Sequence, residues 1–556
     1  MSIDHFQNTN LTGSNLAGMK TFYLLISFAS LLLGDGGDEV TKAALYLSGA
    51  DSEEAVTEEF QERLEYFLDR PVGINTSSRS RLLSSGLFSH FQVAAIEDYR
   101  SRHGDILSLT ELSFIEGFPK EAVDALGPFL SFEPSLSGGD SLRIRQTILG
   151  RATLKGWKGK YRISYGDALS GGLSMKGGWA PGEFSYTSNA VWAHRKGKVI
   201  IGDYNAKFGQ GLLLWTGFRL TGYPAPKAFR LNGSGISPLS GATPSLRGIA
   251  TDYSRGRWVF TGMGGKEVRG ASAGYFFRNG EVSVQGITGR NRGVSASGGW
   301  TLGGGADLFG EAGFNGEWAG TGGALIPLTS RIGIAAVARA LPSGFTGKKN
   351  GEYGVAAGGW AHSEGYINSQ RIWEVSATVD VAALPVPEKD IGRKQIKTYV
   401  TGAWRFGKGW CVSGRYYDRY RNYGQGRTDV RAEIGWNGDV FTAKSRLNAV
   451  IVDSKAGLLA YAEGGAKGEK GWAYIRATLF KTPSYAERIY CYERDAPGNF
   501  NVPAYYGEGV SLSATGALKM KFEKGRKAYL YLRGFVTRKK PQDCSYGLYV
   551  QFNLTI

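Results

Sequence analysis

From Ser141 to the end of the chain, apolar and polar positions alternate. Tyr546, Leu548, Val550, Phe552, Leu554 and Ile556 share one face of the last predicted strand. Gly547, Tyr549, Gln551, Asn553 and Thr555 share the other. Val375, Ala377, Val379 and Val381 oppose Ser376, Thr378 and Asp380, and Val430, Ala432, Ile434 and Trp436 oppose Arg431, Glu433 and Gly435. A period of two sends successive side chains to opposite faces of a strand. Tight charged turns separate these runs. Asn279-Gly280 and Asn437-Gly438 suit type I′ hairpins, where both central residues take positive φ. The pattern predicts an up-and-down meander, with no core helix after Ser141.

Before residue 134 the period changes. Phe60, Leu64, Phe67 and Leu68 fall on one helix face. Ser108 and Glu111 have the spacing of a capping box, and Leu109, Leu112 and Ile115 follow as an apolar stripe. The stretch from Glu133 to Ser141, EPSLSGGDS, has linker composition. Residues 35–133 therefore read as a small all-α domain, 134–140 as a linker and 141–556 as one long β region.

A long meander must dispose of its edges and its apolar face. It does so as a soluble sandwich or propeller, or as a closed barrel with the apolar face toward lipid. A propeller needs a blade repeat, and none is visible. The fold expected is mainly β: a large antiparallel transmembrane β-barrel, with an even strand number of roughly 16–22, behind the helical domain. A signal-like start supports it. Thr21–Leu33 is one apolar run after Met19-Lys20, too short for a bilayer-spanning helix and ordered like a secretory signal. Residues 19–34 are expected to be the signal peptide and 1–18 an upstream over-extension. The barrel is then placed in the outer membrane, against lipid and lipopolysaccharide, with residues 35–133 in the periplasm.

Composition narrows the chemistry. Glycine is abundant at 82 residues, while 17 prolines exclude a collagen or a Pro/Gly linker. Three distant cysteines and five histidines give no zinc or redox spacing. His194 and His362, the two histidines of the barrel region, lie outside any GxSxG or HExxH context. No catalytic residue, cofactor or metal is expected, and the chain reads as a non-enzyme. Charge divides with the pattern. Residues 35–133 hold 8 Lys/Arg against 19 Asp/Glu, whereas 134–556 hold 57 against 29. That split suggests two regions with separate partners, the acidic one docking a periplasmic protein.

Residues 74–130 resemble the paired helix-hairpin-helix module of competence DNA receptors. INTSSRSRLLSSGLFSHFQVAAIEDYRSRHG matches the first copy and DILSLTELSFIEGFPKEAVDALGPFL the second. With GDYNAKFGQGLLLWTGF at 202–218 and YCYERDAPGNFNVPAYYGEG at 490–509, the chain resembles Gram-negative outer-membrane proteins that carry this module before a large barrel. The resemblance implies hairpins at Gly86-Leu87-Phe88 and Gly117-Phe118-Pro119. DNA-binding members use Gly-apolar-Gly, whose amides meet phosphate. Here each second glycine is missing, Pro119 has no amide hydrogen, and residues 60–133 carry 7 basic against 11 acidic side chains. DNA is a possible but disfavoured partner, and protein docking is favoured.

Two barrel segments look site-like. Residues 202–248 form a long excursion containing Phe208, Gln210, Trp215 and Arg219, a candidate lid or constriction in the lumen or a cover on the mouth. Residues 488–509 gather Arg488, Tyr490, Tyr492, Arg494, Tyr505 and Tyr506, which suit binding of anions, sugars or bases by stacking and charge, or an aromatic girdle with arginines facing lipopolysaccharide phosphates. Arg431, Arg446 and Arg533, with Lys444 and Arg405, alternate onto polar faces. They are candidate lumen charges and predict anion preference if the pore is open. The function expected is a channel, transport or assembly component. A DNA-uptake component and an outer-membrane hydrolase are the rivals.

Overall fold

The computed structural model describes residues 38–135 and 144–556, apart from 51, 57, 167, 181, 195, 218–221, 290–291, 348–350, 368–369, 385–391, 523–525 and 542. The expected signal peptide, the over-extension and most of the linker lie outside the described residues, as does Arg219.

Twenty-four antiparallel strands close into a barrel. The first, Ile144–Thr153, pairs with the last, Asp543–Thr555, in the register Thr147↔Thr555 to Thr153↔Tyr549. Closure pairs both strand edges. The count is even, but it exceeds the 16–22 expected. Turns such as 154–155, 256–257 and 453–454 take so few residues that more strands fit the same length. An even count puts both chain ends of the barrel at one mouth, here termed proximal. The long connections 208–245 and 482–507 leave from the distal mouth.

Alternation decides which way each side chain faces. Val375, Val379 and Val381 are exposed outside, while Thr378 and Asp380 between them are buried inside. Val430 and Ile434 face out and Arg431 faces in. Many outward aromatics sit at proximal strand ends: Trp192, Trp258, Trp300, Trp373, Trp404, Trp410 and Phe441. Such a band is the pattern of a membrane–water interface, where amphipathic rings settle.

The helical domain comprises α1 (Asp38–Ser48), α2 (Glu58–Asp69), α3 (Arg79–Ser85), α4 (His90–His103), α5 (Leu109–Leu112) and α6 (Lys120–Leu126), with a 3-10 turn at Glu53–Ala55. The predicted face of α2 holds, with Leu64 buried at its centre. Ser108 caps α5 by accepting the Glu111 amide at 3.1 Å, but Glu111 reaches back to the Leu107 amide rather than to Ser108. A complete capping box forms instead between Ser89 and Gln92. Leu82, Leu87, Ile96, Leu112, Phe118 and Phe129 make a core, to which the barrel residue Phe276 also belongs.

Candidate functional site: a filled lumen

Contacts around the whole circumference place the helical domain against the inner wall. Arg162 of the strand Gly156–Tyr165 lies over Tyr66, 5.2 Å from the ring centroid, and Arg79 lies over Phe276 at 5.0 Å. Glu121 pairs with Arg371, in the proximal connection between Glu352–His362 and Trp373–Leu384, and accepts a hydrogen bond from Tyr366. From another arc of wall, Arg431 and Arg446 meet Glu54. The described part of the acidic region expected to dock a periplasmic protein thus also meets inward residues of the barrel. Its carboxylates Glu54 and Glu121 pair there with inward or mouth-lining cations.

The deepest contact is a charge cluster. Glu54 accepts from Arg431 Nη1 at 3.0 Å, from Arg446 Nη1, and from the Tyr492 amide at 3.0 Å. Glu53 lies 3.6 Å from Lys444 Nζ. On the wall, Glu433 pairs with Lys444 at 3.2 Å and with Arg446. Burial alone would push the Glu54 carboxyl upward. The Arg431 and Arg446 guanidiniums outweigh it, and with the Tyr492 amide hold the group well below the usual carboxylate range.

The distal connection 208–245 enters the lumen from the other mouth. Glu311 accepts from the amides of Gln210 at 2.7 Å and Leu212 at 3.1 Å, and also from Ser295 and Gln285. Gly209 sits so close that an added Cβ would lie 2.7 Å from the Glu311 carboxyl carbon. Farther along, Thr378 donates to the Tyr223 carbonyl at 2.6 Å. Arg230 reaches Glu281 and Asp307, both at proximal strand ends. The segment therefore traverses the lumen. Phe208 is buried, the Gln210 side chain bonds Leu231 in both directions, and Trp215 bridges to Lys207.

The second candidate segment divides. Tyr492, Arg494 and Tyr505 turn inward: Arg494 donates to Glu463 at 2.9 Å and lies over Tyr474, while Tyr505 donates to Glu493. Arg488, Tyr490 and Tyr506 stay on the distal rim. There Arg488 stacks 4.3 Å from the Tyr485 centroid and Lys539 stacks 3.6 Å from that of Tyr506. One cluster read from the sequence is two places in the structure.

The lumen charges also differ from expectation. Arg431 and Arg446 pair with Glu54, and Arg533 pairs with Glu493 at 2.6 Å. Arg405 pairs with Glu374 and Arg476 with Glu463. These inward cations meet carboxylates from the helical domain (Glu54), from the loop 482–507 (Glu493) and from the wall itself (Glu374 and Glu463). Glu53, Glu54, Glu311 and Glu493 were missed as site residues. For Glu53 and Glu54 the signal was the opposite charge of the two regions, whereas Glu311 and Glu493 belong to the basic region and no sequence pattern singles them out.

At the two expected hairpins, amides and rings are engaged locally. Gly86 has a φ of 67° and closes α3, with Arg63 stacked against it. The Leu87 amide donates to Ser85 Oγ and the Ser89 amide to Gln92 Oε1. Leu87, Phe88 and Phe118 are buried, and the Phe88 and Phe118 rings meet edge-on between the two hairpins. Gly117 has a φ of 88° and gives its carbonyl to Gln92, while Pro119 caps α6 without a side-chain bond. Among the described residues, no cluster of three or more His, Cys, Asp or Glu is arranged to hold a metal ion.

No family model matches the chain, and no curated protein matches it. Solved structures do. The P pilus usher PapC translocation pore is 10% identical, with 74% of this chain and 99% of that chain covered and a TM-score of 0.37. The siderophore receptor PirA of Pseudomonas aeruginosa is 9% identical, with 74% and 80% covered and a TM-score of 0.39. OccK3 of Pseudomonas aeruginosa is 8% identical, with 74% and 94% covered and a TM-score of 0.28. At these scores the likeness settles nothing by itself, and the fold rests on the strand pairing above.

Proposed function

We propose that this protein is an outer-membrane β-barrel conduit whose lumen is closed by its own N-terminal helical domain and by the connection 208–245. The observation that carries the reading is the ring of helical-domain contacts with inward residues on separate arcs of the wall, from Arg162 to Arg371 to Arg446. Lipid placement is supported by the apolar outer face and the proximal aromatic band. Arg488, Lys539 and their tyrosines suit the phosphates of lipopolysaccharide at the distal rim. The helix-hairpin-helix-like face that carries exposed Leu107 and Phe114 is the surface left for a periplasmic protein. Such a protein would set when the plug moves.

The hairpin amides already engaged by Ser85 and Gln92 speak against DNA as the partner. A non-enzyme reading is kept.

The test is reconstitution of the exported full chain. It should fractionate with the outer membrane, migrate faster unheated than boiled, and be silent in planar bilayers. E53Q/E54Q/E121Q should then give intermittent openings. A soluble monomeric product would sink the barrel. Steady conductance by the unaltered chain would sink the plug.

A further inference from the structure

The cluster at Glu54 has a charge balance that reaches beyond closure. The wall supplies three cations, Arg431, Lys444 and Arg446, from the neighbouring strands Arg427–Asn437 and Phe441–Val452. It supplies one carboxylate to them, Glu433. The helical domain brings the other two, Glu53 and Glu54, on one short 3-10 turn. With Glu53 and Glu54 docked, the side chains of Arg431 and Arg446 are 7% and 2% exposed; withdrawal of that turn would leave three cations facing one carboxylate, two positive charges without counter-charge on the wall. An unpaired buried charge is costly and is met by another partner or not formed. The donors are also more numerous than the described acceptors: Arg431 Nε is buried and makes no hydrogen bond among the described residues. The Tyr492 amide points at the same carboxylate as the guanidiniums, completing a cradle of backbone and side-chain donors.

We propose that Arg431, Lys444, Arg446 and the Tyr492 amide form an anion-binding site on the inner wall, which Glu53 and Glu54 occupy as built-in stand-ins and which takes a dianionic solute when the helical domain withdraws. The inference rests on the plugged-conduit reading and gives it a substrate class. Two carboxylate side chains are replaced by two negative charges on one solute, as in a dicarboxylate or hydrogen phosphate. Guanidiniums accept either through paired N–H···O contacts. Because solute and turn compete for one cradle, binding and plug release are linked. The anion that opens the barrel is the anion the site retains, and by reciprocity a looser plug binds it more tightly.

The experiment has two arms on the full chain in detergent micelles. In the first, hydrogen exchange at residues 52–56 of the unaltered protein is followed with added succinate, inorganic phosphate, or chloride at matched ionic strength. The site predicts at least a several-fold acceleration by a dianion and none by chloride. Acceleration by succinate alone assigns a dicarboxylate, and by phosphate alone a phosphate. Equal response to all three overturns the proposal, because screening would then explain it. In the second arm, E53Q/E54Q is titrated calorimetrically with the same anions. It should bind at least tenfold tighter than the unaltered chain, and R446Q added to it should remove that gain. No gain, or a gain indifferent to R446Q, also overturns the site. The outcome is separable from the conduit reading. A chain that conducts steadily and still binds dianions through Arg446 loses the plug and keeps the site. A silent chain insensitive to dianions keeps the plug and loses the site.

Discussion

Replacing Glu54 by alanine removes the helical domain's deepest hold on the wall. The carboxylate joins two guanidiniums and one amide, and its side chain is 9% exposed against 7% for Arg431 and 2% for Arg446. Removing one member of a buried ion pair costs about 3–5 kcal/mol, mostly because the remaining charge is stranded. Glu53 and Glu433 stay close enough to take up part of that charge, which favours the low end. About 3 kcal/mol is roughly a hundredfold in the equilibrium between docked and released domain, at about 1.4 kcal/mol per factor of ten. Hydrogen exchange in micelles reads this directly. Protection of α1 to α6 should fall by about two orders of magnitude, while the barrel strands keep theirs. Glu54→Gln, which keeps an acceptor, should fall between the two. Unchanged protection in Glu54→Ala would show that this cluster does not hold the domain.

Three further outcomes follow from other contacts. Arg371→Ala loses a partly buried pair with Glu121 at the proximal mouth, the side chains being 16% and 24% exposed, so release should rise by less than for Glu54→Ala in the same exchange assay. Thr378→Val strands the Tyr223 carbonyl and should cost about 1–3 kcal/mol, seen as faster proteolysis within 208–245 without loss of the barrel. Val379→Arg puts a charge on the outward midpoint of the strand Trp373–Leu384 and should destabilise the folded barrel by about 2–4 kcal/mol in refolding into vesicles, whereas Val379→Leu should not.

The pH dependence has a defined sign. The folded Glu54 carboxyl lies below its unfolded value, so the stability it lends is present above the unfolded value, near 4.5, and is lost as pH falls through the depressed folded value. Protection of residues 52–56, corrected for intrinsic exchange rates, should thus hold from pH 7 to pH 5 and decline progressively as pH falls below about 4.5. Loss between pH 6 and 7 would point to another group.

The outward faces were legible because alternation is local. Val375 to Val381 and Tyr546 to Ile556 read correctly as apolar faces, and the structure shows Val375, Val379, Val381, Tyr546, Val550, Phe552 and Ile556 exposed on the barrel's outside. The strand number was not legible, since a turn of two residues and a turn of five leave similar gaps in a weak pattern. The site was visible only in outline. Residues 202–248 stood out as a long excursion, but its path depends on Glu311 and Thr378, about a hundred and more positions away. Arg431 and Arg446, candidate lumen charges by alternation, are buried beside carboxylates that alternation alone does not reveal. Their partner Glu54 is 377 and 392 residues distant. The charge split showed two regions of opposite sign, but not that Glu54 and Glu121 of one pair with Arg431, Arg446 and Arg371 of the other.

The most direct test of the filled lumen is cross-linking of Tyr66→Cys to Arg162→Cys, a contact outside the Glu54 cluster, by a short bis-maleimide, in a chain whose Cys411, Cys491 and Cys544 are replaced by serine. The chain is exported and folded in membranes before the reagent is added. A helical domain seated in the barrel predicts an intramolecular link that shifts migration after boiling and is absent when the reagent meets denatured chain. No link in the folded protein, with both cysteines shown to be reactive singly, would contradict the account and return residues 38–135 to the periplasm as a free domain.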